Sequence, residues 1–211
     1  MLITFEGIEG SGKSTQAKRV KEWLQIKNIP CMLTREPGGT EIGKQIRRLL
    51  LDPMHTVMCP MTELLLYMAD RAQHLSELII PEMKQGKMIL CDRFYDATTV
   101  YQGIARQIDM KTIVNLHHIV LNDLKPSKTL LFDLPVEQGL SRAWSRIHAN
   151  QSEQKENRFE KESIHFHEKV RTGYLDLAKN SPDRFVIVDA GQSELQVFED
   201  IVSIFNQLIL Q

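Results

Sequence analysis

The sequence predicts an α/β fold, a three-layer sandwich in which a five-stranded parallel sheet is covered by helices on both faces. Three observations predict it. Five apolar runs of strand length, at 2–5, 30–33, 88–91, 129–132 and 185–188, alternate with longer amphipathic stretches. Between the first run and the first helical stretch lies Gly7-Ile-Glu-Gly-Ser-Gly-Lys-Ser14, which fits the phosphate-loop pattern G-x-x-x-x-G-K-[ST] and narrows the sandwich to the P-loop NTPase kind. No internal repeat and no long Pro/Gly/Ser linker divides the 211 residues, so one domain over 1–211 is expected, with a lid segment at about 142–160.

The helical stretches follow in order. Residues 14–25 carry Ala17, Val20 and Leu24 at helical spacing, and 41–51 carry Ile42, Ile46, Leu49 and Leu50. A long pattern covers 62–84, and further ones cover 109–122, 135–147, 162–179 and 194–210. The stretch 148–157, HANQSEQKEN, is polar throughout and joins helical patterns that carry Arg142, Arg146 and Arg158. It reads either as a solvated loop or as a lid that closes over nucleotide.

Composition excludes some partners. There are 26 Lys and Arg against 27 Asp and Glu, a formal net charge of -1, so no basic excess points to nucleic acid. A small anionic ligand would need a locally basic pocket. Cys31, Cys59 and Cys91 lie far apart without a CxxC pair, which fits a reducing compartment. No apolar run approaches the ~20 residues of a membrane span and the start lacks a signal pattern, so no membrane is expected and the cytoplasm is the expected location.

The phosphate loop is the strongest signal. It follows a strand and opens a helix, the context in which glycines let backbone N–H groups turn around phosphate oxygens and the helix N-terminus adds positive charge. The expected nucleotide contacts are Gly7, Ile8, Glu9, Gly10, Ser11, Gly12, Lys13, Ser14 and Thr15, with Arg142 from the lid. Lys13, expected as an exposed loop residue, would reach the β- and γ-phosphates of ATP. The Ser14 hydroxyl would join a Mg²⁺ shell, with Asp92 as a further expected ligand. A loop of this kind fixes the donor and leaves the acceptor open.

Three stretches rich in polar residues bear on the acceptor. They are Thr34-Arg-Glu-Pro-Gly-Gly-Thr40 after the second strand, Tyr67-Met-Ala-Asp-Arg-Ala-Gln-His74 in the long helix, and Asp92-Arg-Phe-Tyr-Asp-Ala-Thr-Thr-Val-Tyr-Gln-Gly103 after the third strand. Ligands of open α/β sheets bind outside the carboxyl ends of the strands, so loops at 34–40 and 92–103 are expected beside the phosphate loop. Singly, each stretch has a plainer reading: a turn at Pro37, Asp70 and Arg71 both in solvent, a strand-end ion pair at Asp92-Arg93.

These motifs, in this order, resemble bacterial thymidylate kinases, from about Leu2 to Gly191, and FHEKVRTGYLDLA at 166–178 resembles a late helix of that family. The resemblance implies transfer of the γ-phosphoryl group of ATP to dTMP, giving dTDP for dTTP synthesis, by a homodimer. It implies that Arg93 and Arg47 hold the dTMP phosphate, that Arg71 hydrogen-bonds thymine, and that Tyr67 stacks on the base where the family usually has Phe. Thr98, Tyr101 and Gln102 match positions around base and sugar, and Glu36 and Pro37 line the same pocket. Glu9 matches an acidic position near acceptor and metal. Ala97 stands where Ser is frequent, Asn157 stands where Asp precedes the arginine, and the segment between Arg146 and Arg158 is longer than in many members.

An ionised phosphate monoester is already a nucleophile, so no general base is expected, and the seven histidines form no evident set. The phosphate loop lacks an arginine. The lid is therefore expected to supply one, Arg146 before Arg142 or Arg158, so that the expected catalytic group set is Lys13, Arg93, Arg146 and Glu9. Two other readings stay open on the residues alone. One is a kinase for another monophosphate or for a hydroxyl acceptor, which would need a carboxylate base such as Asp96. The other is a nucleotide-hydrolysing switch or motor.

Overall fold

The computed structural model describes residues 1–149 and 156–209. Five strands, β1 (Leu2–Glu6), β2 (Cys31–Arg35), β3 (Met88–Asp92), β4 (Lys128–Asp133) and β5 (Phe185–Asp189), form one sheet in the order β2-β3-β1-β4-β5. All four pairings are parallel, with Leu2 opposite Ile89 and Ile3 opposite Lys128 on the two sides of β1. The fold is thus the expected five-stranded parallel sandwich. Every strand runs beyond its apolar run and ends in a charged residue: Glu6, Arg35, Asp92, Asp133 and Asp189. The apolar part lies under helices, while the last pairing delivers a charge to the carboxyl edge of the sheet.

The helices α1 (Lys13–Ile26), α2 (Glu41–Leu51), α3 (Pro60–His74), α4 (Ile80–Lys84), α5 (Tyr95–Thr98), α6 (Met110–Leu121), α7 (Val136–Ala149), α8 (Ile164–Asn180) and α9 (Glu194–Ile209) complete the described chain. Their starts have local causes. The Thr40 side chain accepts a bond from Gly43 N at 3.0 Å and caps α2, and the Ser163 side chain accepts from Phe166 N at 3.2 Å and caps α8. A π-helical turn, Leu75–Ile79, joins α3 to α4, so the long pattern at 62–84 is one helical run with a widened turn directly after His74. Among the described residues, no helix is long and apolar enough to cross a membrane.

One expectation fails. The stretch at 92–103 is no loop: α5 is followed by a π-helical segment, Thr99–Ala105. Its buried side chains include Asp96, Thr98, Thr99 and Gln102. A helix that buries polar residues toward a site carries no apolar period to reveal it.

Candidate functional site

A cleft of about 400 Å³ opens at the carboxyl edge of the sheet. The phosphate loop forms one wall. Gly10 has φ +70°, and a Cβ there would meet the Gly139 carbonyl oxygen at 1.9 Å. The paired glycines therefore let the loop backbone touch α7, the helix that carries Arg142 and Arg146. Glu9, Gly10, Lys13, Ser14 and Thr15 line the cleft. Gly7, Ile8, Ser11 and Gly12 form the loop behind them, with the Ser11 hydroxyl donating to the Ile8 carbonyl at 2.9 Å.

Lys13 corrects a second expectation. It is the first residue of α1 and is buried, because the loop folds over its stem. Its Nζ donates to the Ile8 carbonyl at 2.6 Å and to Ser11 Oγ at 3.1 Å. Burial, with the Arg93 charge nearby, brings its pKa down to about 7. Next to it the Ser14 hydroxyl donates to Asp92 Oδ2.

Two arginines line the cleft, each beside a carboxylate and a histidine. Arg93, at φ 67°, donates through Nη2 to Glu9 Oε1 at 3.0 Å and through Nη1 to the Tyr174 hydroxyl at 3.3 Å. The Tyr101 hydroxyl also donates to Glu9 Oε1, at 2.6 Å. His167 Nδ1 lies 3.3 Å from Glu9 Oε2 outside hydrogen-bond geometry, and that oxygen and both ring nitrogens are buried without partners. Burial raises the Glu9 carboxyl, but Arg93, His167 and Lys13 outweigh it and hold it well below the usual range.

The second arginine, Arg71, is 1% exposed. Its Nε donates to Glu36 Oε2 at 2.8 Å and its Nη2 to Thr98 Oγ1 at 3.0 Å, while Nη1 is buried without a partner. His74 Nδ1 lies 2.9 Å from Glu36 Oε1 and Nε2 lies 2.6 Å from Thr34 Oγ1. Burial raises the Glu36 carboxyl, and Arg71 and His74 more than offset it. Asp70, also buried, accepts from Gly38 N at 2.9 Å. The solvent-facing reading of Asp70 and Arg71 is therefore excluded.

The remaining expected residues divide. Pro37, Tyr67, Ala97, Thr98, Tyr101 and Gln102 line the cleft. Arg47 does too, its Nε donating to Glu156 Oε2 at 2.9 Å and its Nη1 to the Pro37 carbonyl at 3.1 Å. Of the lid arginines, Arg146 lines the cleft. Arg142 Nη1 donates to the Ala190 carbonyl at 3.0 Å instead. Arg158 donates through Nη2 to buried Glu63 at 2.6 Å and through Nε to the Leu50 carbonyl at 2.5 Å, which ties it to α2 and α3. Of the polar stretch at 148–157, residues 150–155 lie outside the described residues.

Asp96, the carboxylate a hydroxyl acceptor would need, accepts two bonds from Arg184 at 2.6 and 2.8 Å and does not line the cleft. Sequence reasoning missed Lys18, Arg35, Phe94, Phe159 and Glu160, which line it, and His74, His167 and Glu63 behind it. Arg35 carried a signal, since it ends β2 inside the Thr34–Thr40 motif. Among the described residues no cluster of three or more His, Cys, Asp or Glu could hold a metal ion. Ser14 and Asp92 offer hard oxygen donors side by side, which fits Mg²⁺, an ion held by one or two carboxylates together with nucleotide phosphates.

A family model described as thymidylate kinase matches residues 5–201. The chain is 55% identical over 190 residues to the thymidylate kinase of Desulfosudis oleivorans, covering 90% of this chain and 89% of that one. It is 52% identical over 207 residues to the thymidylate kinase of Desulforapulum autotrophicum, covering 98% and 91%. Among solved structures, the crystal structure of thymidylate kinase from Ehrlichia chaffeensis superposes with a TM-score of 0.74 at 31% identity, over 97% of this chain and 98% of that one.

Proposed function

From the premise that the chain belongs to the thymidylate kinase family, a dTMP kinase that uses ATP and forms dTDP, we propose how its residues divide that work. The observation that carries the division is one cleft that brings Lys13 and Ser14 of the phosphate loop together with Arg93, Arg71, Arg47 and Tyr67. Gly7–Thr15 hold the triphosphate of ATP, with Lys13 on its outer phosphates and Arg142 at the edge of the donor site. Arg93 and Arg47 hold the dTMP phosphate. Arg71 and Tyr67 read the base, beside Glu36, Pro37, Ala97, Thr98, Tyr101 and Gln102.

Ser14 and Asp92 would hold Mg²⁺, with Glu9 close by, and the ion would screen the charge on the phosphates. The acceptor oxygen is an ionised nucleophile, so the protein's task is to bring two anions into line and to neutralise their repulsion. Lys13 and Arg93 do this in the ground state. Arg146, the lid arginine in the cleft, meets the charge that develops on the transferring group.

The same reading makes the enzyme a cytoplasmic homodimer. Support for the dimer comes from α3 and α6, which pack together and leave Met61, Leu65, Val114 and Ile119 exposed.

The test is ADP formation measured against a panel of nucleoside monophosphates, with the wild type and Lys13→Ala. The wild type should turn over dTMP best, and a folded Lys13→Ala should lose transfer. Near-normal turnover by that variant would remove Lys13 from the donor site, and equal turnover of a purine monophosphate would remove the base-reading assignment.

A further inference from the structure

The cluster behind Arg71 is built more completely than an arginine needs merely to be buried. Glu36 spends both carboxylate oxygens, Oε2 on Arg71 Nε at 2.8 Å and Oε1 on His74 Nδ1 at 2.9 Å. A carboxylate only accepts, so Nδ1 carries the proton in that contact. The far side of the ring is fixed too, with Nε2 at 2.6 Å from Thr34 Oγ1. The ring itself is fully buried. It is seated by Gly39, where a Cβ would meet His74 Nε2 at 2.5 Å. The glycine of one motif is thus the seat for the histidine of another.

The consequence falls on Arg71. With Nε on Glu36 and Nη2 on Thr98, the guanidinium plane has no rotational freedom, and the one nitrogen without a protein partner is Nη1. Arg71 lines the cleft, and Nη1, itself closed off from solvent, is the guanidinium nitrogen with a bond still to give. A buried donor left unmet is costly, and a carbonyl of the acceptor base relieves that cost where an amino group cannot.

We propose that His74 is a positioning residue for base recognition, which holds Glu36 so that Arg71 Nη1 meets a carbonyl of the acceptor base. This rests on the reading of Arg71 as the base contact. His74 does not line the cleft and touches no reacting atom. It acts through two intermediates, and its effect is on which acceptor is chosen rather than on transfer itself.

The experiment compares kcat/KM for dTMP with that for 2-deoxyribose 5-phosphate, which keeps the phosphate and sugar and lacks the base. Variants are His74→Leu, His74→Asn, His74→Gln and Arg71→Ala. His74→Leu should raise KM for dTMP about tenfold, leave KM for ATP within about twofold, and leave the base-less acceptor unchanged, so the ratio of the two acceptors falls about tenfold. His74→Asn, whose amide nitrogen replaces Nδ1, should restore most of the ratio, whereas His74→Gln, whose amide replaces Nε2, should not. That contrast decides the matter even if His74→Leu fails to fold. Equal losses on both acceptors, or equal ratios for the Asn and Gln variants, would make His74 a packing residue and overturn the proposal. If Arg71→Ala lowers the ratio and no His74 variant does, the His74 inference alone fails. If Arg71→Ala leaves the ratio intact, the base-contact reading falls and this inference with it.

Discussion

The two arginine clusters of the cleft use the same three residue types in different states of completion. At Arg71 the carboxylate of Glu36 has a partner on each oxygen and the histidine has one on each nitrogen. At Arg93 the carboxylate of Glu9 spends one oxygen twice, on Arg93 and Tyr101, and keeps the other bare beside a histidine with no hydrogen bond. The first cluster is closed and leaves one donor, Nη1, for a ligand. The second has slack, since Glu9 Oε2 and both His167 nitrogens are left without partners. A flat base, read by hydrogen bonds at fixed angles, calls for the closed kind. A phosphate that gains and shares charge during transfer is better served by groups that can follow it.

The largest effect should come from the open cluster. Arg93→Ala removes the cation proposed for the acceptor phosphate and leaves Glu9 held by Tyr101 without its main counter-charge. We expect kcat/KM for dTMP to fall about 10³-fold or more, with kcat and KM both affected. A loss confined to KM would mean that Arg93 only binds, and the contrast in roles would disappear.

The closed cluster stores a cost that pH exposes. Asp70 beside it is pushed from 3.8 to about 6 by burial and by the Glu36 charge. Its folded state therefore binds the proton more tightly than the unfolded chain, and its contribution to stability is present below about pH 4 and lost as pH rises to about 6. The full separation corresponds to ~3 kcal/mol. In Asp70→Asn the unfolding free energy, followed by urea titration, should gain on the wild type by about that amount between pH 4 and pH 7.5. The amide oxygen can still accept from Gly38 N. A pH-independent difference would show that the cluster does not strain Asp70.

Much of this architecture was legible in the sequence. The central strands β1, β3 and β4 announced themselves because they are buried on both faces, and Leu2, Ile3 and Phe5 have no exposed surface. The motifs 34–40 and 92–103 pointed at the cleft because strand ends carry the ligand edge of such sheets. Other features were hidden for physical reasons. The helix from Tyr95 to Ala105 buries polar groups toward the site, so its period could not be seen. Lys13 looked like a surface residue by type, and only the wrapped loop explains its burial. His74 bonds Glu36 and His167 lies beside Glu9, carboxylates far from them in the chain, a relation no local spacing encodes. Arg158 could not be separated from Arg146 by composition, and its bond to Glu63 does so.

The lid arginine should rank below Arg93 and Asp70. Arg146→Ala should cut kcat about 10²-fold while dissociation constants for ATP and dTMP, from binding titrations, stay within about twofold. Arg158→Ala should instead reduce stability, since it leaves buried Glu63 short of a charge partner. Loss of ATP affinity in step with rate would make Arg146 a ground-state phosphate clamp, and the slack of the Arg93 cluster would then have no transition-state partner on the donor side.

The smallest effect is the sharpest test of the comparison, because it keeps the charge at both arginines. Lysine is a single point donor group on a flexible stem, whereas arginine is a planar fork. In the closed cluster three directions are in use at once, toward Glu36, toward Thr98 and toward the cleft. A lysine at 71 cannot fill all three, and the strongest pull on it is the Glu36 carboxylate, deep behind the pocket wall. The base contact should therefore be the one given up. Arg71→Lys is expected to raise KM for dTMP about 10-fold, with KM for ATP unchanged and kcat down by less than about threefold. At 93 the proposed requirement is for charge near a phosphate, and Glu9 keeps its bond from Tyr101. Arg93→Lys should accordingly recover a large part of what Arg93→Ala loses, whereas Arg71→Lys should be little better than Arg71→Ala. Steady-state kinetics on the four variants read the two recoveries directly. If lysine rescues both positions equally, fork geometry is irrelevant at Arg71 and the closed cluster is only a buried ion pair. If it rescues neither, Arg93 also depends on its fork, and the slack seen around Glu9 plays no part in how the phosphate is held.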